Sequence, residues 1–168
     1  MALSGFNHRI TWTEFRLIAE KPPGEIENAQ ISCESSNSHL APSRHGGIVT
    51  ISQLDIRIYV DIAKSWVVEG QPSDVLLRHE QGHFDILAIG IREFYNGLLS
   101  ITASSIQDLQ SRMNDLQVAK RKKTKNINDR YDSADQTDHG KNAGTQQLWE
   151  ARINATKLNP NGILDNLP

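Results

Sequence analysis

From Gln71 onward the chain signals the start of a helix and then gives no signal to end it. Gln71-Pro72-Ser73-Asp74 is a helix-start pattern, and Val75 to Leu99 contains no proline. One long central helix, about Ser73 to Leu99, is therefore predicted, and the rest of the fold must pack around it. Leu76, His83, Leu87, Phe94 and Leu98 fall along one stripe, the face expected to be buried. Gly82, Gly90 and Gly97 each cost roughly 1 kcal/mol relative to alanine in a helix interior. Since 82 and 90 lie on nearly one face, close approach of another element there is one reading and ordinary tolerance the other.

Before this helix the chain reads as extended. Leu54, Ile56, Ile58, Val60 and Ile62 alternate with Asp55, Arg57, Tyr59 and Asp61, the period of a half-buried strand. Arg9 to Trp12 and Ala29 to Ser36 are weaker strand candidates, and Ser38 to Gly47, with Pro42, Gly46 and Gly47, reads as a loop. After it, a second helix is expected from Ser104 or Ser105, because Ile106, Leu109, Met113 and Leu116 recur at helical spacing; it should form a hairpin with the first. The run Lys120-Arg121-Lys122-Lys123-Thr124-Lys125 reads as a solvated face or as a patch for an acidic partner. Residues 128 to 144 read as a polar turn, and Thr145 to Leu158 as a last helix burying Leu148, Trp149 and Ile153. The expected class is α+β: a small antiparallel or mixed sheet in the N-terminal third, packed on a helical hairpin, plus a C-terminal helix. One domain spans 1–159, with 160–168 as a C-terminal tail.

Composition narrows the chemistry. Cys33 is the only cysteine, so neither an intramolecular disulfide nor a Cys-x-x-Cys metal site can form, and any metal must be held by His and carboxylates. A formal charge of −2 gives no global attraction to nucleic acid or anionic membrane. No stretch approaches the roughly 18 apolar residues of a membrane span, and Met1 to Arg9 lacks the pattern of a signal peptide.

Within the central helix, His79-Glu80-Gln81-Gly82-His83 is an H-E-x-x-H box. A turn of about 100° per residue brings the two imidazoles onto one face, where they can bind a zinc ion. Glu80, one residue from the first ligand, can then take a proton from a water at the metal. At this chain's His and Glu frequencies the box arises by chance in roughly one such chain in a hundred.

A catalytic zinc usually has three protein ligands and one open position. Downstream candidates are Glu93, Asp132, Asp135, Asp138 and His139. Glu93 lies about 15 Å along the helix axis from His83, too far to share an ion, and is expected at the surface or beside Arg92 or another base. His139, in a turn before Gly140, is the first choice for third ligand, with Asp132 in reserve. His8, His39 and His45 are expected in solvent. Asp85 could orient a ligand by hydrogen bonding or simply face solvent. Tyr131 could donate to an oxyanion or be a buried structural residue.

Together the residues resemble a family. Leu76-Leu77-Arg78-His79-Glu80-Gln81-Gly82-His83-Phe84-Asp85-Ile86, Tyr131-Asp132 followed by Thr137-Asp138-His139-Gly140, and Gln147 with Trp149 are similar to the bacterial domain-of-unknown-function family of predicted secreted zinc-dependent proteases. Ile10-Thr11-Trp12 with Phe15, Pro22-Pro23 and Lys64-Ser65-Trp66 extend the likeness over about residues 9 to 158. The resemblance implies a zincin-like fold, a zinc ion, a peptide or protein substrate, and a periplasmic or secreted location. The expected activity is that of a metalloprotease, a hydrolase with Glu80 as general base and His79, His83 and His139 as metal ligands. An extended substrate could add to a sheet edge, for which the strand Leu54 to Ile62 is the candidate. The alternative is a zinc-binding interaction module whose metal site is closed by a fourth protein ligand and activates no water.

Overall fold

Gly46 and Gly47, with φ of 55° and 83°, make the two-residue hairpin turn on which the larger sheet is built. They connect β4 (Cys33–His45) to β5 (Ile48–Val60), antiparallel with His45 opposite Ile48. The computed structural model describes residues 1–168. A short β1 (Ala2–Ser4) runs parallel to the other side of β5, giving the order β1-β5-β4. The segment expected as a loop, Ser38 to Gly47, is thus mostly strand. Pro42 is compatible with it because β4 is an edge strand and the register shifts at Ala41/Pro42. That irregularity also explains why alternation in the sequence begins only at Leu54. Ser52 is an extra residue on β5, so the buried set changes phase from Val49 and Ile51 to Leu54, Ile56, Ile58 and Val60. Ile62 lies beyond the strand's end and is exposed.

The second sheet is small. β2 (Arg16–Ile18) and β3 (Ala29–Gln30) flank β6 (Trp66–Val68), parallel and antiparallel respectively. Arg9 to Trp12 forms no strand; a 3-10 turn follows at Trp12–Glu14, closed by the Glu14 carboxylate on the Thr11 N–H. The strand expected over Ala29 to Ser36 is interrupted at Ile31 and Ser32, whose N–H groups donate to Glu80 and to Ser65 Oγ instead of to a ladder. Both sheets are mixed, and with three helices the class is α+β.

Helix α1 (Asp74–Ser100) is capped by Ser73, which accepts from the Leu76 N–H. It is surrounded by both sheets and by α2 (Ile106–Asp132), α3 (Ala143–Leu158) and the C-terminal turn, so it is buried on most of its circumference. The residues in deepest contact are Phe84, Ile86, Ala88 and Ile89, while Leu76, Leu87 and Phe94, expected to be buried, are only half-buried and line a surface groove. A single apolar stripe implies one buried face, and α1 has several.

Helix α2 descends α1 along its glycines: a Cβ on Gly82 would meet Tyr131, on Gly90 Thr124, and on Gly97 Leu116. Each missing side chain is a notch filled from the partner helix. These contacts carry α2 to Asp132, so the polar turn is confined to residues between α2 and α3, and Asn128, Tyr131 and Asp132 stand on helix. Gly82→Ala should therefore destabilise the protein by about 1–3 kcal/mol despite alanine's higher helix propensity, because the Tyr131 ring is fully buried and cannot yield. A urea midpoint equal to or above the parent's would refute this.

In α3 the buried residues are Gln146, Trp149, Ile153 and Thr156; Leu148, expected inside, is one position off that face and exposed. Residues 160–168 are not a free tail. Leu164 and Leu167 join the cluster of Ile86, Ile89, Tyr131, Trp149 and Ile153, and Arg92 donates to the carbonyls of Thr156 and Gly162. Glu93 is likewise buried. It accepts from the Leu164 N–H and pairs with Lys120 and Lys123, so part of the basic run points inward.

Candidate metal centre

Helical spacing places His79 and His83 one turn apart on α1, and their Nε2 atoms lie 3.3 Å from each other. Asp132, at the last turn of α2, completes the cluster: its Oδ1 is 3.2 Å from His79 Nε2 and 3.0 Å from His83 Nε2. Donor atoms about 2.0–2.2 Å from one tetrahedral ion lie roughly 3.3–3.6 Å apart, a few tenths of an ångström more than the two Asp132 contacts.

The hydrogen bonds behind the ring atoms determine what faces the centre. Gln146 Nε2 donates to Tyr131 and Glu150, which turns its Oε1 toward His79 Nδ1 at 3.3 Å. Asn128 Nδ2 donates to the Thr124 carbonyl, which turns its Oδ1 toward His83 Nδ1 at 2.7 Å. An amide oxygen only accepts, so both imidazoles hold a proton on Nδ1 and turn Nε2 toward the other. With no second proton on either ring, two Nε2 lone pairs and a carboxylate oxygen would face one another and repel unless a positive charge lay among them. Asp132 Oδ1 is buried and, despite its short contacts, makes no hydrogen bond. This donor set fits a divalent cation bound by N and O ligands.

The same electrostatics appear in the titration of the protein groups. Burial would lower the pKa of His83, but the Asp132 carboxylate outweighs it and pushes the imidazole up to about 9. Burial would raise the pKa of Asp132, but the two imidazoles hold it well below the usual carboxylate range. The cluster attracts positive charge, whether a proton or a metal ion.

Glu80 is almost fully buried, and its Oε2 accepts from the Ile31 N–H at 2.9 Å. Burial pushes its carboxyl above the usual range, against the pull of the neighbouring His83 and His79. It lines two cavities of about 270 and 240 Å³ that meet at the cluster, one toward Cys33 and Leu87, the other toward Ser73 and His139.

His139 stands beside the cluster. Its Nδ1 lies 2.7 Å from Glu27 Oε1 and 3.9 Å from Asp132 Oδ1, but it makes no hydrogen bond. It is held in a tight turn in which Asp138, His139 and Gly140 all have positive φ, 45°, 51° and 82°. Such backbone is costly for the two non-glycine residues. Gly140 packs directly on His79, where a Cβ would come within 3.1 Å of the His79 Cβ.

The other candidates are placed differently from their functional readings. Tyr131 is fully buried and stacks on His79 with ring centroids 4.8 Å apart; its hydroxyl donates to the His79 carbonyl and accepts from Gln146, so it has no proton for a substrate. Asp85 touches neither histidine and does not face solvent: it pairs with Lys157 at 2.6 Å and accepts from Gln81, tying α1 to α3. His8 pairs with Glu14, while His39 and His45 are exposed, all outside the cluster. Asp135 and Asp138 belong to neither group of converging ligand atoms. Asn128 and Gln146, which orient the imidazoles, were missed in the sequence. The one available signal was that Asn128 precedes Asp132 by four residues, a spacing that reads as a site only once α2 is known to reach that far.

Comparison of the chain with models of known families, with curated proteins and with solved structures finds no match.

Proposed function

We propose that this protein is a zinc-dependent hydrolase of peptide bonds, of zincin-like organisation, with His79, His83 and Asp132 as metal ligands. The observation that carries the reading is the convergence of two imidazole Nε2 atoms and an unbonded buried carboxylate oxygen beside Glu80. Asp132 takes precedence over His139 as third ligand because its oxygen lies within 3.2 Å of both imidazoles. Bound there, zinc would polarise a scissile carbonyl and acidify a water. Glu80 takes the proton from that water and delivers it to the leaving amine; its burial favours a carboxyl able to hold the proton between the two steps. Asn128 and Gln146 keep the imidazoles in the binding tautomer. His139, beside Asp132, is near enough to the centre for its imidazole to donate to the developing oxyanion after a change of ring orientation.

A second reading has its own support. Asp132 Oδ1 and His139 Nδ1 are both buried without hydrogen bonds and 3.9 Å apart, so a small rotation could make His139 a fourth ligand and close the site. Such a protein would bind zinc and cleave nothing.

Both readings expect about one zinc per chain by elemental analysis of protein purified without chelator. At free zinc a hundredfold above Kd, the ion adds about 2.7 kcal/mol, which for a domain of this size raises Tm by about 5–10 °C. Protein that holds no zinc, or whose Tm is the same with and without chelator, would leave His83 and Asp132 as an ion pair and end both readings.

A further inference from the structure

We propose that the substrate is an acidic polypeptide segment, held extended in a groove that leaves the metal centre between β4 and α2; this rests on the peptidase reading above. The cavity at Glu80 shares Leu87 and Asn128 with a second of about 330 Å³, and that one shares Ser35 and Phe94 with a third of about 180 Å³. Together they form one channel. Its floor is the half-buried stripe of α1, one wall is α2, and the other is β4, the edge strand of its sheet. β5 cannot receive a substrate strand as expected from its sequence, since β1 and β4 cover both of its sides.

Charge decides the occupant. Beyond Asp132 the channel is lined by Lys120, Arg121 and Lys125 and by no carboxylate. Lys120 is held by the buried Glu93, but Arg121 makes no ion pair and Lys125 meets only Asp129 across an exposed helix turn. Arg121 therefore lines the channel as an unpaired cation, and Lys125 as one held only by an exposed pair of small energetic worth. Along α2 they stand about 16 and 10 Å from Asp132, which for an extended chain corresponds to about five and three residues from the scissile bond. Acidic side chains at those positions, on one side of the bond, complete the two cations.

The test uses the zinc-loaded protein, residues 1–168, and labelled twelve-residue peptides with Glu, Gln or Lys three and five residues to either side of a fixed centre. Glu80→Gln protein reports binding by fluorescence anisotropy, and the parent reports cleavage. The Glu peptide should bind roughly tenfold more tightly than the Gln peptide. The double variant Arg121→Glu, Lys125→Glu should lose that preference, and Lys122→Glu, an exposed change outside the channel, should keep it. Both positions are exposed, and Arg121→Gln with unchanged Tm guards against a folding effect. Selective binding lost on charge reversal, without cleavage by the parent, would uphold the acidic groove and remove the peptidase reading. Cleavage indifferent to peptide charge and to the reversal would overturn the groove and leave the peptidase. A DNA oligonucleotide of equal charge bound as tightly as the peptide would also overturn it.

Discussion

Glu80→Gln is expected to reduce peptide hydrolysis by orders of magnitude while leaving fold and zinc content intact. The amide has nearly the volume of the carboxylate, and its oxygen can still accept from the Ile31 N–H, so the contact between α1 and the strand edge survives. What is lost is a group able to take and return a proton. General-base removal costs about 10²- to 10⁴-fold. The measurement is kcat/KM on a broad quenched-fluorescent peptide library, with zinc content and Tm determined in parallel. A variant cleaving at the parental rate would remove Glu80 from the reaction. Inactivity of the parent as well, with zinc bound, would favour the closed site.

The second large effect concerns the third ligand. Asp132→Ala should weaken zinc binding by well over a hundredfold, because it removes a ligand atom and leaves the two imidazoles facing each other without the carboxylate. Asn128→Ala, which only frees the His83 ring, should cost about 10- to 100-fold. His139→Ala separates the two readings of the site. With Asp132 as third ligand and an open fourth position, it leaves zinc affinity near parental and lowers kcat. With a closed site, it weakens zinc binding about as much as Asp132→Ala does. Competition titration of zinc into the variants, against a chelator of known affinity, reads the difference.

Where the chain punctuates itself, its sequence was enough. The start at Ser73 and the absence of proline to Leu99 specified α1, and helical spacing then brought His79 and His83 together without reference to any other element. The glycines of α1 left close approach and ordinary tolerance equally open, and in the fold α2 fills their notches. The edge and the turn were harder to read. Residues 38 to 45 look like loop because Ser, Asn and Pro are poor in a central strand, but an edge strand tolerates them, and edge position is set by what pairs alongside.

The residue proposed as third ligand shows the same limit. His139 and Asp132 are seven residues apart and both are possible ligands in a one-dimensional reading, which puts His139 first and Asp132 in reserve. The turn at Ser133 to Asn142 looked to begin at 128, because Asn and Asp are frequent in turns; in the fold, Tyr131 fits the notch at Gly82 and holds α2 helical through Asp132. That one packing contact points Asp132 at the histidines and leaves His139 beside Glu27. Sequence by itself determined the pair of imidazoles and the neighbouring carboxylate, since these depend only on the pitch of one helix. Which side chain meets them from outside was decided by tertiary structure, because it depends on where a second helix ends.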